Sequence, residues 1–179
     1  MWSSERLTAT PIRDADVGAR YIGWLFDPIV TRHMAAQFIE YDRQSLLAGI
    51  AKVRSAHGQF LRLSLASEIP GKFIGTITLT PEGPGVYRLW CLGILIGDRA
   101  VWGQGLGTEA IKGATEYTLT HLRAHKIVAR VNRRNVASRR AFEKAGYVAE
   151  AIHARHVLDA EGWDDVVQFA RWETSVPNA

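Results

Sequence analysis

The chain carries one cysteine, Cys91, in 179 residues. A lone thiol excludes an intramolecular disulfide and any zinc site built from several thiolates. No apolar run approaches the roughly 18 consecutive residues needed to cross a bilayer. The opening MWSSERLTATPIRDADVGAR lacks the apolar core of a signal peptide. Internal repeats, low-complexity tracts and linker-like stretches are missing as well. Together these absences predict a reduced, cytoplasmic protein with no membrane partner. The six histidines, His33, His57, His121, His125, His153 and His156, show no metal-ligand spacing, so no metal site is expected. With 47% hydrophobic and 22% charged residues, the chain has ample core material for one globular domain. We place that domain at residues 1–174 and expect 175–179 to fray.

Acidic side chains are scarce in one place. Residues 99–144 hold ten bases, Arg99, Lys112, Arg123, Lys126, Arg130, Arg133, Arg134, Arg139, Arg140 and Lys144, against three acids, Glu109, Glu116 and Glu143. The window is therefore +7 while the whole chain is +4, which leaves −3 for the rest. The basicity is local. It contains no interleaved aromatics of the kind that stack on bases, which argues against a nucleic-acid partner.

Apolar spacing predicts a mixed α/β sheet of about six to seven strands, with helices on both faces. Strands are expected at 6–10, 60–66, 73–80, 86–96 and 127–131, near 148, and at 166–172. The turn 68–72 joins two of them, and a hairpin lies at 159–162. Helices are expected at 14–26, broken by Asp27-Pro28, and at 42–57, 107–122 and 136–145. The first half reads as an antiparallel meander and the second as a β-α-β-α-β unit.

Trp102-Gly103-Gln104-Gly105-Leu106-Gly107-Thr108-Glu109-Ala110 leaves a strand and opens a helix. Alternate glycines let backbone N–H groups converge, and the helix N-terminus adds partial positive charge. Such a turn can seat a phosphate or pyrophosphate. It is not a dinucleotide fingerprint, because the third glycine comes one position early and no carboxylate follows the next strand. It is not a P-loop, because no Gly-Lys-Ser/Thr follows. Nearby arginines suit a further phosphate, which leaves NADP or coenzyme A as the ligand.

The second motif is Asn135-Val136-Ala137-Ser138-Arg139-Arg140-Ala141-Phe142-Glu143-Lys144-Ala145-Gly146-Tyr147. With the glycine loop before it at matching separation, the sequence resembles the GNAT superfamily of N-acetyltransferases. Within that superfamily it is most similar to the RimJ/RimL-like branch. Weaker likenesses lie at Trp24–Pro28, Phe73–Gly75 and Gly162–Asp165. The resemblance implies acetyl-CoA as cofactor, with its pyrophosphate on the loop formed by Trp102, Gly103, Gln104, Gly105, Leu106, Gly107 and Thr108. It implies a pantetheine arm lying between two splayed parallel strands, pairing with backbone groups of Leu95 and Ile96. Asn135, Ser138 and Arg139 would stand at the mouth, with Arg133, Arg134 and Arg140 also available to the adenosine phosphates.

Two positions depart from the family pattern. Trp102 replaces a common Gln or Arg at the start of the loop. Phe142 replaces a tyrosine used by many relatives as general acid, which leaves Ser138 as the hydroxyl able to serve the departing thiolate. Glu150 is the candidate base, and Cys91 stands where relatives often carry Glu; as a single cysteine in an apolar strand it reads as core. Trp24, Trp90 and Trp163 are candidate walls of the acceptor cleft, with core packing the default for each. The implied activity is direct acetyl transfer to an amine acceptor, either a protein N-terminus or a small molecule. A homodimer is compatible with the sequence. The alternative is a non-catalytic acyl-CoA binder of the same fold.

Overall fold

Two sets of apolar side chains on opposite faces of one sheet organise the chain. The computed structural model describes residues 1–68 and 71–173. Eight strands form the sheet: β1 (Trp2–Ser3), β2 (Leu7–Pro11), β3 (Gln59–Leu65), β4 (Phe73–Glu82), β5 (Leu89–Ile96), β6 (Lys126–Asn132), β7 (Val148–Asp159) and β8 (Gly162–Trp172). Their spatial order is β1-β2-β3-β4-β5-β6-β8-β7. Every neighbouring pair is antiparallel except β5 and β6, which run parallel. The helices are α1 (Ala19–Phe26), α2 (Pro28–Thr31), α3 (Arg43–Ser55), α4 (Leu106–Thr120) and α5 (Val136–Lys144).

Period-two alternation sorts the strands' residues between two cores. Leu61, Leu63, Ile77, Leu79 and Leu92 pack with Ile111 and Ala114 of α4 and Phe142 of α5. Phe60, Phe73 and Leu95 pack on the opposite face with Tyr21 and Leu25 of α1 and Leu46 and Ile50 of α3. Each fully buried Leu, Ile or Phe of this kind contributes roughly 1.5–3 kcal/mol. Helices therefore flank both faces, and the mixed sheet forms as the alternation requires.

Several boundaries differ from expectation, each for a local reason. An eighth strand appears because Trp2–Ser3 pairs with Ala9 and Thr8, a segment too short to show periodicity. The expected helix 14–26 is split, since Gly18 is extended and α1 starts only at Ala19. Asp27-Pro28 starts a helix as well as ending one: Asp27 accepts a hydrogen bond from the Ile29 N–H at 2.9 Å, and proline suits the first helical turn. The strand expected from Val86 starts at Leu89, because Gly85–Tyr87 forms a 3₁₀ turn closed by Arg88 at φ +46. Part of the turn 68–72 and the expected fraying of 175–179 lie outside the described residues. Among the described residues, no helix is long and apolar enough to cross a membrane, and no group of three potential metal ligands occurs.

Candidate active site

The parallel ladder between β5 and β6 has three rungs, Leu89 with Lys126, Trp90 with Ile127 and Cys91 with Val128. Beyond Cys91 the strands part, while both stay paired on their outer sides. β5 holds β4 as far as Ile96, and β6 holds β8 as far as Asn132. The result is a V with its apex at Cys91 and Val128. Its open arms are edges of unpaired backbone, which an extended polar chain can join as an added strand.

The pleat decides which backbone groups face the gap. The Gly97 N–H donates to Ile74 O at 2.9 Å, so alternation directs Leu95, Gly93 and Cys91 toward β4. The pairing of Trp90 with Pro81, which has no N–H, fits the same alternation. Leu92, Ile94 and Ile96 thus present their N–H and C=O groups to the gap. This corrects the expectation for Leu95, whose backbone is engaged with Thr76. Ile96 has its backbone on the gap side, although its carbonyl already accepts the Trp102 indole N–H at 2.8 Å. The tryptophan in the loop therefore ties the loop to the edge of the V.

The glycine loop ends at this edge. Gly103 and Gly105 have φ of +76 and +78, and Gly105 is the N-cap of α4. Both are exposed, while Leu106 is buried in the core and fixes the start of the helix. Residues at the start of a helix have no intrahelical acceptor for their N–H groups, so those of Leu106, Gly107 and Thr108 are available to an anion. A contact that sequence reasoning missed braces the loop from the turn before β2. Arg6 donates from Nε to Glu109 Oε2 at 2.7 Å and from Nη1 to Gln104 O at 3.0 Å. Ser4 Oγ adds a bond to Glu109 Oε1 at 2.7 Å. Burial raises the Glu109 pKa, but the bonds from Ser4 and Arg6 outweigh it and hold the carboxyl below its ordinary range. No local pattern signals this pair, because 103 residues separate its members.

At the mouth, Asn135 caps α5 by accepting the Ser138 N–H at 3.1 Å. Capping is therefore done by Asn135, and the half-buried Ser138 hydroxyl makes no hydrogen bond among the described residues. The arginines divide into two groups. Arg133 pairs with Asp165 at 2.8 Å, and Arg134 pairs with Asp159 at 2.9 Å while also donating to the Trp163 carbonyl. Arg139 donates to the Arg133 carbonyl at 3.2 Å, and neither it nor Arg140 has a carboxylate within 4 Å among the described residues.

Other candidates lie apart. Glu150 is exposed on edge strand β7, two strands from β6, with its carboxylate held by Lys126 and by Gln168 at 3.2 Å. The bond from Lys126, outweighing desolvation, keeps its pKa below the ordinary range. Its partners make it an ion-paired surface carboxylate. Phe142 is 1% exposed, stacks in the core on Phe169 and meets Tyr147 edge-on. Tyr147, five residues on, is buried and bonded to Thr115 at 2.8 Å, and burial pushes its pKa far up. Trp24 packs on Gly97 and Phe73, Trp90 leans on the α4-side core, and Trp163 is exposed at the hairpin. Cys91 is half-buried at the apex, where desolvation and then the nearby Glu82 raise its thiol pKa to about 11.

Comparison with known proteins agrees with this geometry. Residues 6–148 match the family model described as an acetyltransferase (GNAT) domain. Over 94 residues the chain is 34% identical to the probable N-acetyltransferase YjcK of Bacillus subtilis, covering 52% of this chain and 51% of that protein. The chain thus spans about half the length of that curated relative. A spermidine N-acetyltransferase from Vibrio cholerae, solved with CoA and spermine, superposes with a TM-score of 0.81 at 19% identity, over 96% of this chain and 98% of that one. RimJ of Mycobacterium smegmatis, solved with CoA-disulfide, superposes at 0.77 and 21% identity, over 97% and 85%. The fold is shared equally with both branches, so it does not assign the chain to the RimJ/RimL-like one. With the family model covering most of its length, the chain belongs to the GNAT family of acetyltransferases, whose acetyl donor is acetyl-CoA.

Proposed function

We propose that the chain is an acetyl-CoA-dependent N-acetyltransferase acting by direct transfer on a primary amine, of a small molecule or a protein N-terminus. One observation carries this reading. The β5/β6 ladder ends at Cys91 and Val128, and the resulting V opens beside a helix N-terminus with left-handed glycines. The residues present fit acetyl-CoA. Backbone groups of Leu92, Ile94 and Ile96 would hold the pantetheine amides, the N–H groups of residues 105–108 the pyrophosphate, and Arg139 and Arg140 the adenosine phosphates.

Acetyl-CoA supplies the activated thioester. The protein's own part is orientation, which contributes up to roughly 7–11 kcal/mol, and proton handling. A gap-facing strand N–H would polarise the thioester carbonyl oxygen. The Ser138 hydroxyl, without a hydrogen bond among the described residues, would donate to the leaving sulfur. The RimJ/RimL-like assignment rests on Trp102 and the Asn135–Tyr147 motif, and a cytoplasmic setting on the single unpaired Cys91.

The test is twofold. Acetyl-CoA raises the melting temperature and NADPH does not; the reverse result ends this reading. Free thiol is then measured with acetyl-CoA against a panel of amines and N-terminal peptides. The second reading, a non-catalytic acyl-CoA binder, is favoured by the ion-paired Glu150 and the buried Phe142. It gains if CoA binds and no acceptor releases thiol.

A further inference from the structure

On the sheet face opposite α4, the apex of the V carries an ion pair that neither the loop nor the Ser138 helix uses. Cross-strand pairing sets Glu82 beside Leu89 and Thr80 beside Cys91. On β6, Lys126, Val128 and Arg130 share that face, and Val128 is the rung partner of Cys91. Arg130 binds Glu82 through two bonds, Nη1 to Oε1 at 2.6 Å and Nη2 to Oε2 at 3.0 Å, and its Nη1 lies 3.8 Å from Cys91 Sγ. Both charges are accessible, with 28% of the Glu82 side chain and 40% of Arg130 exposed. A depression of about 510 Å³ is lined by Val86, Tyr87, Arg88, Leu89, His125 and Lys126, of which Leu89 is the cross-strand partner of Glu82.

We propose that Glu82 and Arg130 select the acceptor, and that they suit a zwitterionic amine, its ammonium on Glu82 and its carboxylate on Arg130. The proposal rests on the transfer reading above, since the thioester would end at the apex these residues border. The argument is charge balance. Arg130 holds the Glu82 carboxyl below its ordinary range, so the pair is ionised and neutral overall. A lone ammonium that draws Glu82 away leaves a guanidinium facing a cation. A polycation worsens this, because it brings further positive charge beside Arg130. A carboxylate a few bonds from the acceptor nitrogen replaces Glu82 on the fork of Arg130, and the site stays neutral. The ligand exchanges one ion pair for two.

Thiol release decides the matter, measured for free amino acids, their methyl esters, an N-terminal peptide and spermidine. Wild type should show kcat/KM at least about tenfold higher for an amino acid than for its ester, and lower still for spermidine. In Arg130→Gln that ratio should collapse toward one through KM, and Arg130→Lys should restore part of it. Esters that match acids, a ratio that survives Arg130→Gln, or a preference for spermidine or the peptide each overturn the proposal. If acetyl-CoA binds and no amine is consumed, the transfer reading fails. Amino-acid binding to the CoA-loaded protein, by calorimetry, then decides recognition separately: binding lost in Arg130→Gln upholds it, and no binding overturns it.

Discussion

Three glycines in the loop should respond to the same substitution in opposite ways. Gly103 and Gly105 are held at φ +76 and +78, so alanine at either must occupy the left-handed region, at about 1–2 kcal/mol. No steric clash adds to this, since the nearest atom to a Cβ at Gly105 is an Arg6 nitrogen at 3.8 Å and nothing approaches one at Gly103. At roughly 2–4 °C per kcal/mol for a chain of this size, each variant should melt about 2–8 °C lower. Gly107 lies inside α4 with nothing within 4 Å of a Cβ. Gly107→Ala should therefore stabilise the free protein by roughly 0.8–1 kcal/mol, raising the melting temperature by about 2–4 °C. A helical Cβ leans toward the helix N-terminus, so that methyl enters the space assigned to the pyrophosphate. Losing one charge-assisted hydrogen bond there, roughly 1.5–3 kcal/mol, weakens CoA binding about 10- to 150-fold. Scanning calorimetry and titration of CoA on the three variants separate the two effects. A Gly107→Ala protein that is more stable and binds CoA as tightly as the parent would refute the placement of the phosphates.

Three further outcomes follow from the geometry. Ser138→Ala should lower kcat by about a hundredfold, the low end for acid–base assistance, with little change in KM for acetyl-CoA; steady-state kinetics that show an unchanged kcat remove the proton-donor role. Cys91, with its thiol pushed to about 11, should alkylate slowly at pH 8, where about one molecule in a thousand is thiolate, and faster as pH rises; rapid labelling at pH 7, followed by mass spectrometry, would contradict its desolvation. Arg134→Ala should cost about 2 kcal/mol at neutral pH, below the roughly 3–5 of a fully buried pair because a third of Arg134 meets solvent. Asp159 is held below its ordinary range: burial raises its pKa, but the Glu161 N–H, Arg134 and His33 outweigh it. Its stabilisation is thus present above the unfolded carboxylate pKa and lost as pH falls through the folded one. Parent and Arg134→Ala should converge in urea titrations as pH falls below the folded Asp159 carboxyl's depressed pKa.

The cofactor half of the site was legible because its chemistry is local in sequence. Alternate glycines and a helix start leave a mark within ten residues, and Gly103, Gly105 and the start of α4 form the strand-to-helix turn which that pattern predicts. The acceptor half left no such mark. Leu95 and Ile96 look alike in a strand, and only the register with β4, fixed by Gly97 N–H on Ile74 O, shows which one faces the gap. Glu150 looked suited to proton abstraction because its position after α5 is near the site in sequence. The β8 strand that separates it from β6 inserts out of chain order.

The same reasoning changes what the basic window means. Of its ten bases, five are bound to acids outside it: Arg99 to Asp27, Lys126 to Glu150, Arg130 to Glu82, Arg133 to Asp165 and Arg134 to Asp159. Those partners come from α1's end, β4 and the β7–β8 hairpin, elements that meet the window only in the folded sheet. A count along the chain sees +7 and assigns all of it to one anionic ligand. Folding neutralises half of those cations and leaves Lys112, Arg123, Arg139, Arg140 and Lys144 without a carboxylate within 4 Å among the described residues. Of these, Arg139 and Arg140 follow the mouth of the V. The paired arginines instead tie α1's end, β4 and the β7–β8 hairpin to the window, so half of the apparent basicity is structural.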